Sequence, residues 1–133
     1  MLEHIGTHNI VACEAQENIL KAIITDENHL YFNGYLAHNY QQRAWIYASQ
    51  EEDEKAIVCL QKALAYAIAT DNADKKSTVS HFTCPLLNHM EYDPKNVYRT
   101  GETAYVDDFY KFIKRKQFQK LHNREDFQKH FNS

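Results

Sequence analysis

Between Asn9 and Ile24 the apolar residues Ile10, Val11, Ala15, Ile19, Leu20, Ala22, Ile23 and Ile24 recur at three- and four-residue steps. They stand against Glu14, Gln16, Glu17 and Lys21, the spacing of an amphipathic helix with Thr7 as its N-cap. "TDENH" at 25–29 offers Thr25 or Asp26 as the cap of a second helix, which is under way by Tyr35 even with Gly34 inside the pattern. In "YLAHNYQQRAWIYASQ" (35–50), Leu36, Tyr40, Ala44 and Tyr47 fall on one stripe. The acidic "EEDE" that follows suits the start of a third helix through the helix dipole. That helix places Ala56, Ala63 and Ala67 on a face with Leu60 and Leu64.

Small side chains at those positions let two helix backbones approach closely. The spacing therefore predicts an αα-hairpin whose second and third helices pack almost in touch. Past Thr70 the polar run "TDNADKKST" predicts the end of the third helix and a surface linker. "HFTCPLLNHM" reads as a short helix capped by Thr83 or Cys84 with Pro85 in its first turn, and "EYDPKNVYRTGE" as a loop. A helix over about 103–115 buries Tyr105, Val106, Phe109, Phe112 and Ile113 and ends in basic residues. A turn around Leu121 and a short terminal helix with Phe127 and Phe131 complete the chain.

Composition narrows the picture. With 133 residues, 44% hydrophobic, and only 3 Gly and 2 Pro, the chain suits one domain made of long helices. The expected fold is all-α, built of antiparallel helical hairpins, with a core hairpin at about 35–71 and a C-terminal capping segment at about 80–131. A net charge of −3 argues against nucleic-acid binding through phosphate neutralisation, so no direct nucleic-acid contact is expected. Cys13, Cys59 and Cys84 are an odd number at wide spacing, which fits neither a disulfide framework nor a paired-thiolate zinc site. The start of the chain lacks the pattern of a signal peptide, and no stretch reaches the roughly 20 apolar residues of a membrane span. A cytoplasmic protein without membrane contact is expected.

Residues 37–70 resemble a tetratricopeptide repeat, a helical hairpin of about 34 residues, through Ala44, Tyr47, Ala56, Leu60 and Ala63. Arg43 stands where that repeat usually carries an apolar residue, Tyr40 replaces its tryptophan, and no proline closes the second helix. The series "EKAIVCLQKALAYAIATDN", "HFTCPLLNHMEYDPKNV" and "FQKLHNREDFQKHF" is similar, over about 36–131, to the C-terminal half of XRE-type helix-turn-helix transcriptional regulators of Firmicutes. The resemblance implies a right-handed superhelical stack of such hairpins, serving as a sensing or oligomerising tail with a protein or peptide partner or as a homodimer. No helix-turn-helix pattern precedes the first long helix, so the sequence reads as either a fragment or a free-standing tail.

Opposite the packing stripe, the second helix carries His38, Gln42, Trp45 and Ser49, with Gln41 at its edge. In stacked repeats this face lines a groove for an extended peptide or small ligand, where a tryptophan can anchor a partner. The reading with more weight has Trp45 packed on the first helix and the glutamines merely solvated, since aromatic stripes are usually core. His4 with His8, and His81 with Cys84, have spacings that bring two ligands to one helix face. Gly6 and Thr7 interrupt the first pair, Pro85 lies beside the second, and no carboxylate completes either set, so no metal is expected. "KFIKRKQFQK" (111–120) interleaves basic and aromatic residues but reads as a solvated helix end. There is no phosphate-binding glycine loop and no nucleophile elbow, and Cys59 reads as a small buried filler. No catalytic residue and no cofactor are assigned.

Overall fold

The computed structural model describes residues 2–24, 32–75, 80–81, 84–86, 91–92 and 104–131. Their regular structure is all-helical apart from one minimal strand pair. The helices are α1 (Leu2–Ile23), α2 (Phe32–Ser49), α3 (Asp53–Lys75), α4 (Tyr105–Ile113), a 3-10 helix (Lys116–Leu121) and α5 (Glu125–Phe131). The pair is β1 (Ser80–His81) and β2 (Glu91–Tyr92), antiparallel with Ser80 opposite Tyr92 and His81 opposite Glu91.

The hairpin is as its small residues demand. Ala44, Ala56, Ala63 and Leu60 are fully buried in one core, and α2 and α3 form the most extensive helix pair among the described residues. Beside the small residues Tyr40, Ile57, Phe109 and Phe118 fill that core. The turn between the helices is only three residues. Glu52 N–H donates to Tyr47 O at 2.9 Å and Glu51 N–H to Ala48 O at 3.2 Å, with Glu51 at φ 60°. This is a Schellman C-cap that has a glutamate where glycine is the usual residue.

The C-terminal segment folds back over the hairpin. His38 meets Tyr105 at 5.5 Å between ring centroids and Trp45 meets Phe112 at 6.1 Å. Both contacts advance seven residues along each helix, so α4 runs in the same direction as α2. The 3-10 helix rests on α2 and α5 on α3. Phe109, Ile113, Phe118, Leu121, Phe127 and Phe131 all enter the hairpin core. Lys120 fastens this segment to the hairpin turn, donating to Ala48 O at 2.6 Å and pairing with Asp53 at 3.1 Å.

Several expectations are corrected. The first helix begins at Leu2, so Thr7 lies within it and the backbone runs helically through Gly6 and Thr7. Its buried face is shifted: Glu17 is buried with Ile24, and Ile10, Leu20 and Ile23 are half-buried, while Val11 and Ile19 are each 60% exposed and Ala15 and Ala22 are open as well. Tertiary pairing of Glu17, described below, outweighs the apolar stripe. The third helix does not stop near Thr70 but runs to Lys75, and Thr70 and Asp71 are buried. Asp71 Oδ1 accepts from Tyr105 N–H at 2.9 Å and Oδ2 from Val106 N–H at 3.0 Å. A residue read as linker is thus the cap of a helix 34 positions away, where Ala104 at the N-cap has no side chain to do it. Around Cys84, strands and a turn at 85–86 stand where a short helix was expected. The turn at Leu121 is a 3-10 helix, with Leu121 fully buried as its last residue. Thr25, Asp26 and Thr83 lie outside the described residues, as does most of the 91–102 loop.

Candidate binding groove between helix 2 and the C-terminal segment

Helical spacing puts His38, Gln41, Gln42 and Trp45 on one side of α2, and α4, which packs chiefly on α3, reaches that side through Tyr105 and Phe112. Together with Ile46, Phe112 and Arg115 they line one groove of about 400 Å³, within the range of small-ligand sites. All four residues chosen from the sequence are therefore neighbours in space. Ser49 is not among the lining residues; its hydroxyl donates to Trp45 O at 2.9 Å.

Trp45 fulfils neither expectation alone. It is half-buried and packs on Phe112 and Phe118, each at 6.1 Å. The Arg115 guanidinium lies over the Trp45 ring at 5.9 Å and over Phe112 at 5.3 Å, a cation–π arrangement at the groove wall. His38 stands edge-on to Tyr105 at the other end. Gln42 Oε1 faces the Cys13 thiol at 3.6 Å, which ties that side of the groove to α1. Gln41, expected at the edge, is 9% exposed and lines the groove. Phe112 and Arg115 were missed as site residues. The basic and aromatic interleaving of 111–120 was their signal, but nothing local tells which of those residues folds back onto α2.

The other side of α2 carries a polar knot that the sequence did not announce. Tyr40 Oη donates a short hydrogen bond to Glu17, and Arg43 donates to Glu17 Oε1 at 3.0 Å. Lys21 pairs with the same carboxylate at 3.2 Å, and the Arg43 guanidinium sits 4.5 Å over the Tyr40 ring. Asn39 donates to Cys13 O at 2.9 Å. Burial works against ionisation of Glu17, but the hydrogen bonds from Tyr40, Lys21 and Arg43 outweigh it and hold the carboxyl below its ordinary range. Burial and the Glu17 carboxylate push the Tyr40 hydroxyl far up. The two departures from the repeat pattern, Tyr40 and Arg43, are thus one feature: they receive the acid that α1 brings.

Among the described residues no three His, Cys, Asp or Glu side chains cluster. The side chains of His4, His8 and His81 lie outside the described set. Cys13, Cys59 and Cys84 are all buried free thiols, and burial pushes Cys59 up to about 11, so that it remains a protonated filler near neutral pH. No helix of the described residues is long and apolar enough to cross a membrane. Comparison with protein-family models, with curated proteins and with solved structures returns no match for this chain.

Proposed function

We propose that this chain is a non-enzymatic binding module that holds a peptide or small ligand in the groove between α2 and the C-terminal segment. The observation that carries the reading is the convergence of His38, Gln41, Gln42 and Trp45 with Phe112 and Arg115 around one cavity. The cavity has an aromatic wall and a few polar groups, the usual make-up of a recognition site. Its two sides belong to segments far apart in sequence, so a ligand that touches both favours one placement of α4 on the hairpin. That differential contact is what a sensing module needs.

The resemblance to the tails of helix-turn-helix regulators fits this mechanism. A close-packed hairpin, followed by a helix parallel to its first member, is the order of a tetratricopeptide-like stack. The chain then acts as, or is related to, the regulatory tail of a transcriptional regulator in the cytoplasm, and it does not itself touch DNA. Titration with a pool of random tetrapeptides tests the core of the reading. Saturable change in Trp45 emission with a rise in Tm is expected, and no change at millimolar peptide would refute it.

A second reading is favoured by a separate surface. The open Val11, Ala15, Ile19 and Ala22 face of α1 is an apolar stripe suited to a second copy of the chain. Sedimentation across a hundredfold concentration range checks it. Association that Ile19→Glu abolishes supports a homodimer there, and a monomer throughout removes it.

A further inference from the structure

No carboxylate lines the groove, although the chain carries an acidic surplus. Its one full charge is Arg115, whose guanidinium rests on Trp45 and Phe112 and makes no ion pair among the described residues. A planar, permanently charged fork held flat against two rings is already oriented, so little freedom is lost when it meets a carboxylate.

Gln41 adds a second polar group to the groove: the residue is 9% exposed and lines the cavity. An amide offers one donor group and one acceptor, the complement of a peptide unit. Trp45 and Phe112 line the same groove with apolar faces.

Building on the proposed function, we infer that the ligand is a short peptide in which a carboxylate pairs with Arg115, an adjacent apolar side chain lies against Trp45 and Phe112, and a backbone amide is read by Gln41. The carboxylate is supplied by a free C-terminus or by an acidic side chain, and the site's chemistry is the same for both.

Trp45 is the only tryptophan and reports binding directly. Three sets of tetrapeptides serve as probes: N-acetylated free acids ending in Leu or Phe, their C-terminal amides, and amides carrying one glutamate before the apolar residue. Either carboxylate-bearing set is expected to bind at least tenfold more tightly than the plain amides. Whichever set wins identifies the source. Arg115→Gln should erase the preference, Arg115→Lys should keep part of it, and Gln41→Leu should weaken all three sets alike. Arg115 is exposed, so its variants keep the fold, and a thermal melt checks that Gln41→Leu, at a buried position, is folded. Equal binding of all three sets by the wild type overturns the carboxylate assignment and leaves the groove reading standing. Silence of Trp45 toward every set overturns the groove reading itself.

Discussion

Asp71 is the hinge on which the groove depends, and replacing it by alanine gives a number that the structure predicts. Its two carboxylate oxygens take the first amide protons of α4 at 2.9 and 3.0 Å, and the side chain that carries them is 7% exposed. Loss of a helix cap costs about 0.5–2 kcal/mol, and an anion at a helix N-terminus adds about 0.3–1 kcal/mol. Hydrogen bonds to a charged acceptor run higher, about 1.5–3 kcal/mol each, but the first turn of α4 is half-exposed and water replaces part of what is lost. The expected cost of Asp71→Ala is therefore about 2 kcal/mol, which lowers the urea midpoint by about 1 M for a slope near 2 kcal/mol/M. Asp71→Asn keeps one acceptor oxygen and is expected to lose about half as much. Urea unfolding followed by Trp45 fluorescence measures both, and Trp45 also reports detachment of α4 because Phe112 is its neighbour. Two results would refute the reasoning: a cost for Asp71→Ala below about 0.5 kcal/mol, or an equal cost for the control Asp107→Ala, whose exposed side chain lies in the same turn.

Glu17→Gln leaves Arg43 without its counter-charge and is expected to cost about 3 kcal/mol near neutral pH. Because the folded Glu17 titrates below its ordinary 4.5, its contribution is complete above that value and is lost as pH falls through the folded value; the gap between wild type and variant should therefore close in acid, as urea midpoints against pH will show. Glu51→Gly removes a side chain from the left-handed region at φ 60° and should raise stability by about 1 kcal/mol; an unchanged or lower midpoint counts against the C-cap argument. Gly34→Ala ordinarily gains about 1 kcal/mol inside a helix. Here the added methyl would stand 2.8 Å from Tyr105 Oη, so the change should destabilise the wild type and stabilise a Tyr105→Ala background, a reversal of sign visible in thermal melts.

The amino-acid sequence by itself determined the hairpin. Alanines at Ala44, Ala56 and Ala63 exclude bulk from one seam, and periodic apolar residues with few glycines and prolines leave little choice but helices around it. It also determined that His38, Gln41, Gln42 and Trp45 share a side of α2, because helical geometry is local and spacing alone places them together. What lies across from that side was decided only by tertiary structure. The return of residues 105–118 onto α2 brings Phe112 and Arg115 to the groove, and the Asp71 cap that seats α4 spans 34 residues, beyond the reach of any local pattern. The same holds for the first helix. Its apolar stripe named Val11 and Ile19 as core, yet the hydrogen bonds of Glu17 to Tyr40 and Arg43 hold the side of Cys13, Glu17 and Ile24 inward and leave those two open. Periodicity records which side of a helix is apolar, whereas a buried polar partner on another helix determines which side is held, because leaving that group unpaired costs more than leaving two aliphatic side chains wet.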